Sequence, residues 1–212
     1  MKHDFLPSYH EAAEQCSILG ADLSLESYTG MGVFLDILSE SAGKTNLVGP
    51  MEIERLWTRH VLESVAFIPF LNDQPIIDVG TGAGFPGMVL SFFGYNVTMI
   101  ESRRKKCAFL ETAARLCGVS CRVVNGRVED EGPFPQGSLF TSRAVKGPSK
   151  MVELISPSVP GGFTLITRVS TKSENSSRTL FSEELPVPPL DRKGFILQYR
   201  HPVNQKLRQP ER

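Results

Sequence analysis

The chain has few of the features that mark secreted, membrane-spanning or metal-dependent proteins. Its 212 residues include only four cysteines, too few for a disulfide framework in a chain of this length. No apolar run approaches the ~20 residues that span a bilayer, and no charged-then-apolar secretory pattern opens the sequence. Cys117 and Cys121 stand four residues apart, but no further Cys or His cluster completes a zinc site. These absences predict a cytoplasmic protein without a metal site or a membrane partner.

Net charge is also lacking, since 23 basic residues balance 23 acidic ones, but the charges are unevenly placed. Residues 1–102 carry 4 basic and 13 acidic side chains, whereas residues 103–172 carry 12 and 5. Basic residues follow several predicted strands: Arg103, Arg104, Lys105, Lys106, Arg127, Arg143, Lys146, Arg168 and Lys172. Because ligands of an open α/β sheet bind outside the carboxyl ends of its strands, this placement predicts a basic rim for a polyanion. For residues 103–106 alone, a solvated helix start explains the pattern equally well.

The most informative segment is Ile-Ile-Asp-Val-Gly-Thr-Gly-Ala-Gly-Phe-Pro-Gly at residues 76–87. It predicts a buried strand, a tight glycine turn and a helix. Glycine tolerates positive φ and has no Cβ, so such a turn lets a cofactor lie against bare backbone. The helix start would offer unpaired N–H groups to an anion.

Two cofactor classes compete for this turn. From Gly82 the sequence matches G-x-G-x-x-G, and Glu101 follows 19 residues later, as in dinucleotide-binding proteins. From Asp78 it matches D-x-G-x-G-x-G, the pattern of S-adenosylmethionine (SAM) methyltransferases. We favour SAM, because dinucleotide glycines normally begin directly after the strand, where Asp78 and Gly80 already stand.

Hydrophobic periodicity predicts strands that alternate with helices, which is typical of a mostly parallel sheet with helices on both faces. The predicted strands are 75–79, 96–101, 120–125, 138–142, 162–168 and 194–200. The predicted helices are 10–20, 24–42, 51–71, 86–93, 103–117 and 147–156. We therefore expect an α/β, Rossmann-like methyltransferase fold. Its expected parts are an N-terminal helical extension (1–71), a SAM-binding domain (72–201) and a disordered tail (202–212). Within the SAM-binding domain, residues 170–192 are expected to form a long loop with at most one short element.

The predicted helix 51–71 is amphipathic. At a period of 3.6 residues, Trp57 and His60 fall on its apolar face, and Arg59 and Glu63 fall on its polar face, where they can pair. A histidine on an apolar face is more often a packed core residue than a catalyst. His60 is therefore interpreted as structural, with a catalytic role left open.

Several motifs together resemble one family, the glucose-inhibited division protein B family of small-subunit ribosomal RNA guanine-N7 methyltransferases. The matching strings are Thr45-Asn46-Leu47, Arg59 to Ser64, Asp78 to Gly87, Glu101-Ser102 with Lys105, Gly126 to Glu129, and Ser142 to Val145. They extend over residues 45–168 in the family's order. Five positions depart from its pattern: Glu63 and Glu101 replace Asp, Val48 replaces Thr, and Arg168-Val169 replaces Lys-Gly.

The resemblance implies a set of cofactor contacts. It places Gly80 and Phe85 along the SAM site, Val128 and Glu129 at the adenosine end, and Arg143 in the same pocket. From the strand positions we further expect three residues beside the cofactor. Asp78 would lie near the methionine ammonium, Gly82 in the turn, and Glu101 at the ribose.

The implied partner is ribosomal RNA or the small ribosomal subunit. We expect its phosphates to be held by Arg103, Arg104, Lys105, Lys106, Lys146 and Arg168. The chain lacks the Asn/Asp-Pro-Pro-Tyr/Phe tetrapeptide of exocyclic-amine methylation and the Pro-Cys pair of C5 methylation. Methylation of guanine N7 needs neither motif, because N7 has no proton to remove. We expect Arg143 to act by position and charge. We also expect the enzyme to be a monomer. A small-molecule methyltransferase and a non-catalytic RNA-binding assembly factor remain alternatives.

Overall fold

The fold is built on one seven-stranded sheet with the order β3-β2-β1-β4-β5-β7-β6. The computed structural model describes residues 5–45, 47–143, 147–171 and 179–201, so Lys146 and the predicted tail lie outside the described residues. The strands are β1 Ile76–Val79, β2 Val97–Glu101, β3 Arg122–Asn125, β4 Leu139–Arg143, β5 Phe163–Val169, β6 Thr179–Glu184 and β7 Phe195–His201. The first five are parallel, and β7 and β6 complete the sheet in antiparallel pairing.

The helices cover both faces of this sheet. They are α1 Tyr9–Ile18, α2 Leu25–Thr45, α3 Leu62–Val65, α4 Gly87–Phe92, α5 Arg104–Leu116 and α6 Pro148–Ile155. Successive side chains of β1 enter different cores, since Ile76 joins the apolar cluster of α1 to α5 and Ile77 joins that of α6. A strand buried on both faces explains why its sequence is continuously apolar. The Rossmann-like methyltransferase fold predicted from the sequence is confirmed.

The N-terminal helices share the larger apolar cluster with the sheet and lie against the glycine turn. A Cβ on Gly30 of α2 would lie 2.7 Å from Cε1 of Phe92, so this glycine permits a close approach of α2 to α4. One turn further on, Phe34 packs against Phe85 of the glycine turn, with ring centroids 5.6 Å apart. Helices from outside the sheet therefore form one wall of the turn.

The single helix predicted over 51–71 is wrong. The structure has a 3₁₀ turn at Pro50–Arg55, a π-helix at Leu56–Val61 (the π segment), the short α3, and a second 3₁₀ turn at Ile68–Phe70. A π-helix has i→i+5 hydrogen bonds, so residues beyond it face a different side from the one that a 3.6-residue period predicts. Glu63 therefore points inward and is 1% exposed, instead of pairing with Arg59 on a polar face.

The sheet also gains β6 from the segment predicted to be mainly loop. β6 pairs with β7 at the edge of the sheet and its register shifts between Thr179 and Phe181. Among the helices that the structure describes, none is long and apolar enough to cross a membrane.

Candidate active site

The glycine turn follows β1 and opens toward the carboxyl edge of the sheet. Gly80 and Gly82 have φ values of 69° and 63°, which L side chains rarely adopt. A Cβ on Gly82 would meet nothing closer than 3.8 Å, where Gly80 O and the Lys106 ammonium lie. The requirement for glycine at position 82 therefore comes from backbone conformation, and the space beside it is free.

Asp78 fixes the shape of this turn from below. Its Oδ2 accepts a hydrogen bond from the Gly87 N–H at 2.9 Å, and its Oδ1 accepts one from the Thr141 hydroxyl at 3.1 Å. The carboxylate is completely buried, and burial raises the pKa of Asp78 to about 6. In this arrangement Asp78 ties the start of α4 to β1 and β4 and is enclosed by protein.

Glu101 connects the glycine turn to the start of α5. Its Oε2 accepts from the Gly82 N–H at 3.1 Å and its Oε1 accepts from the Arg103 N–H at 2.8 Å. The Ser102 hydroxyl also donates to Oε1, at 3.5 Å. A carboxylate has about four lone-pair sites, so about one acceptor position remains, on Oε2. Glu101 can thus hold the turn and still accept a hydrogen bond from a ligand.

A first cavity, of about 110 Å³, lies over the carboxyl ends of β1, β2 and β3. Its lining residues are Val79, Gly80, Ile100, Ser102, Gly126, Arg127, Val128, Glu129, Met151 and Leu154. Apolar walls with a few polar groups at the rim are typical of sites for an aromatic ring that carries a polar tail. No three His, Cys, Asp or Glu side chains of the described ranges cluster in a way that could hold a metal ion.

A second cavity, of about 340 Å³, lies over the carboxyl ends of β4 and β5, and we call it the arginine cavity. It is lined by Arg59, His60, Glu63, Arg143, Arg168, Val169, Ser170 and Arg192. The two cavities lie on opposite sides of the β1–β4 boundary, where the strand order reverses direction. Such a switch point is the usual ligand site of an open α/β sheet.

Glu63 is the acidic centre of the arginine cavity. Arg192 donates to it from Nε at 2.7 Å and from Nη2 at 3.2 Å, and Arg168 Nη2 lies 3.0 Å from Oε1. Arg143 Nη1 lies 3.6 Å from Oε2. Burial lowers the pKa of Arg143 to about 10, which leaves the guanidinium charged at neutral pH. One buried carboxylate is therefore shared by three guanidinium groups.

His60 is a neutral member of this cluster. Its Nδ1 is hydrogen-bonded to Nη2 of Arg143, and a guanidinium only donates, so Nδ1 is the acceptor and Nε2 carries the proton. Burial, followed by the charges of Arg143 and Arg59, lowers the pKa of His60 to about 3. The ring also packs on Phe85, with centroids 4.9 Å apart. His60 is thus a poor proton acceptor at neutral pH and serves to position Arg143.

The predicted cofactor residues fall into three groups. Gly80, Val128 and Glu129 line the first cavity, and Gly82 and Glu101 form the adjoining turn. Phe85 and Arg143 lie on the other side of that turn, with the Arg143 guanidinium 5.1 Å above the Phe85 ring. The enclosed Asp78 belongs to neither cavity.

The predicted RNA-binding residues are also divided. Arg103, Arg104 and Lys105 are exposed and Lys106 is partly exposed, as a basic rim requires. The Arg168 side chain is only 5% exposed and is paired with Glu63, so it lines the arginine cavity instead of an open rim.

Sequence reasoning missed four residues of the arginine cavity: Arg59, His60, Glu63 and Arg192. The first three belong to the π segment and α3, where a 3.6-residue period gives the wrong facing. Arg192 stands in an irregular segment without periodicity. Arg59, His60 and Glu63 all belong to the family motif Arg59 to Ser64, which could have indicated their place in the site.

Comparison with known proteins identifies the family. The family model described as rRNA small subunit methyltransferase G matches residues 28–184. The chain belongs to this family. Among relatives named ribosomal RNA small subunit methyltransferase G, that of Gluconobacter oxydans is 36% identical over 137 residues, which are 64% of this chain and 70% of the relative. That of Hyphomonas neptunium is 35% identical over 152 residues, 69% of this chain and 72% of the relative. That of Paramagnetospirillum magneticum is 36% identical, and the match spans 61% of its length.

Solved structures confirm the fold of this rRNA small subunit methyltransferase G family member. The crystal structure of a mutant of MtNAS covers 95% of this chain and 83% of its own, with a TM-score of 0.55 at 16% identity. A structure from a study of thioacetal formation in echinomycin biosynthesis covers 68% of this chain and 82% of its own, with a TM-score of 0.51 at 12% identity. At such identities the likeness extends to the fold alone.

The buried Asp78 makes a measurable contribution to the pH dependence of stability. Its pKa is about 6 in the folded protein and 3.8 ordinarily, so its contribution is fully present below about pH 4 and is lost as the pH rises through about 6. Asn cannot titrate. The free energy of unfolding of Asp78→Asn, relative to the parent, should therefore rise by up to about 3 kcal/mol over this range.

Urea unfolding at a series of pH values measures this difference. Asp73→Asn makes the same change at an exposed position before β1 and should follow the parent. A constant offset between Asp78→Asn and the parent would contradict the buried, raised-pKa carboxylate.

Proposed function

We propose that this family member transfers a methyl group from SAM to N7 of a guanine in small-subunit ribosomal RNA. The observation that carries the proposal is the pair of cavities at the strand-order reversal, one mainly apolar and the other lined by arginines. A methyl donor in the first and an RNA segment in the second would meet at the glycine turn. The family model and the names of the curated relatives support methylation of small-subunit ribosomal RNA.

We assign the first cavity to the adenosine part of SAM. Val128, Met151 and Ile100 provide apolar walls for adenine, and Oε2 of Glu101, which accepts only from the Gly82 N–H, can accept from a ribose hydroxyl. The open space beside Gly82 suits the methionine part. Asp78 is completely buried and could reach the cofactor only by leaving its present hydrogen bonds. We therefore assign it the role of holding the turn in place.

The chemistry requires placement rather than proton transfer. Guanine N7 carries an in-plane lone pair and no proton, so it can attack the sulfonium methyl group in one displacement. Arg143 is suited to positioning the base, since its Nη1 donates to the carbonyls of Arg59 at 3.0 Å and His60 at 3.2 Å. Neutral His60 holds the same guanidinium from the other side.

The target guanine is proposed to leave its stack, because N7 faces the deep, narrow major groove of A-form RNA. The exposed group Arg103 to Lys105, with Lys106 beside the glycine turn, would hold the RNA phosphates. Binding should therefore weaken as salt rises. A small-molecule substrate would gain nothing from this rim.

The remaining expectations stay as proposals. We propose a monomer that acts in the cytoplasm on ribosomal RNA or the small subunit. We also propose that residues 1–71 form an extension packed on a SAM-binding domain at residues 72–201. The π segment contributes to the arginine cavity, so the extension would take part in the site.

Mass spectrometry of small-subunit ribosomal RNA tests the reaction directly. RNA from a strain that lacks the gene should be missing one 7-methylguanosine, and the intact gene should restore it. Incubation of the unmodified RNA with purified protein and SAM should do the same in vitro. An unchanged 7-methylguanosine content in the deletion strain would contradict the proposed function.

Glu101→Gln tests the assignment of the cofactor cavity. The variant keeps one acceptor oxygen but loses the charge-assisted hydrogen bond to the ribose, so SAM affinity should fall about tenfold while RNA affinity is retained. Calorimetry measures both. Glu111→Gln, at an exposed position on α5, is the matched control and should bind SAM normally. Equal losses for SAM and RNA would show that Glu101 acts on the fold alone.

The pH profile of single-turnover methylation tests the base-free mechanism. With both substrates bound, the rate should be flat between about pH 7 and 9, above the titration of Asp78, because no residue must accept a proton. His60→Gln should lower the rate through Arg143 and leave the profile flat. A parent rate that rises between about pH 7 and 9, together with a flat profile in His60→Gln, would overturn the mechanism and the assignment of N7.

A further inference from the structure

We propose that the arginine cavity is a phosphate-binding subsite, and that it holds one backbone phosphodiester beside the target guanine. That this phosphate belongs to RNA rests on the proposed function. The preference of the cavity for a phosphate group is independent of that function, because the preference follows from the charges and hydrogen-bond donors of the lining.

The charges around the cavity leave room for one anion. Its lining has four guanidinium groups, those of Arg59, Arg143, Arg168 and Arg192, and a single carboxylate, that of Glu63. Two further acids act on these guanidinium groups: Glu52 forms an ion pair with Arg59, and the charge of Asp78 acts on Arg143. A third acid, Asp191, is paired with Arg55 outside the lining, so that pair adds no net charge. His60 is neutral.

Four guanidinium groups against three carboxylates leave one positive charge at the cavity. A phosphodiester carries one negative charge, so the cavity and this ligand balance. An ion pair with an anionic ligand is most favourable where the cations are already largely desolvated, as Arg143 and Arg168 are here.

The hydrogen-bonding groups favour phosphate over a nucleobase. Nε of Arg168 is buried and has no hydrogen-bond partner, although the residue is only 8% exposed and lines the cavity. A buried N–H without an acceptor is costly, and a phosphate oxygen would satisfy it. The Glu63 oxygens are already shared by three guanidinium groups. The cavity therefore offers many donors and little free acceptor capacity, whereas the Watson–Crick edge of a guanine needs both. The N7/O6 edge of guanine needs only donors, but unlike a phosphodiester it carries no negative charge to balance the cavity.

The donors are held in place before any ligand binds. Arg143 is fixed by the carbonyls of the π segment and by the Phe85 ring. Arg168 is held by Glu63 and by the Lys193 carbonyl at 3.1 Å. Gly194 leaves space for this guanidinium, since a Cβ there would lie 2.6 Å from Nη2. Preorganised donors bind an anion without a further cost of ordering side chains.

A dinucleotide pair tests the subsite. The probes are guanylyl-guanosine (GpG), with a charged phosphodiester, and its uncharged methylphosphonate analogue, and calorimetry measures their binding to the full chain saturated with SAM. GpG should bind at least about tenfold more tightly than the analogue. Arg168→Met should remove this preference and leave SAM affinity unchanged. Arg200→Met, at an exposed arginine on the neighbouring strand β7, is the matched control and should keep it.

A second variant keeps the charge and changes only its position. Gly194→Ala should displace the Arg168 guanidinium and reduce the preference for GpG as well. It also provides the test if Arg168→Met fails to fold.

Three results would overturn the proposal: equal binding of the two dinucleotides by the parent, survival of the preference in both Arg168→Met and Gly194→Ala, or its loss in Arg200→Met. Inorganic phosphate that competes as well as GpG, with the same dependence on Arg168, would assign the cavity to free phosphate and overturn the backbone assignment. A ribosomal RNA mark that persists in the deletion strain would contradict the proposed function alone, because the dinucleotide preference is measured without methyl transfer.

Discussion

The carboxylate of Glu63 is the contact on which the candidate site depends. It brings together Arg143 at the end of β4, Arg168 in β5 and Arg192 before β7. Without this negative charge, three guanidinium groups would lie at close range with no common partner, two of them almost fully buried. Removing one member of a buried ionic cluster typically costs about 3–5 kcal/mol, because the remaining charges are left uncompensated. The ion pairs of Glu63 therefore determine where the three arginines that line the cavity lie.

Much of the fold follows from local sequence pattern. The six predicted strands are all present, and the glycine turn and the helix after it lie where residues 76–87 indicate. These elements obey simple periods, and the positive φ values of the turn require glycine whatever the tertiary context. The part of the first cavity formed by Gly80, Val128 and Glu129 could be located for the same reason.

The arginine cavity could not be predicted in this way, because it is made by irregular backbone and by charges distant in sequence. The π segment changes the facing of Glu63, and no periodic pattern indicates that change. Arg192 reaches Glu63 across 129 positions of the chain. Two of the departures from the family pattern, Glu63 and Arg168, are partners in the structure. Each was visible in the sequence, but their contact depends on the packing of β5 against α3.

The segment from Gly80 to Phe85 contacts the first cavity at one end and residues of the arginine cavity at the other. Gly80 lines the first cavity, while the Phe85 ring lies against His60 and the Arg143 guanidinium of the second. Any shift of this segment on occupation of one cavity changes the free energy of occupying the other. Thermodynamic linkage makes such an effect reciprocal, so the factor by which the methyl donor alters the affinity for RNA equals the factor by which RNA alters that for the donor. A spent donor, which lacks the sulfonium charge and the methyl group, would then also change how tightly the modified RNA is held.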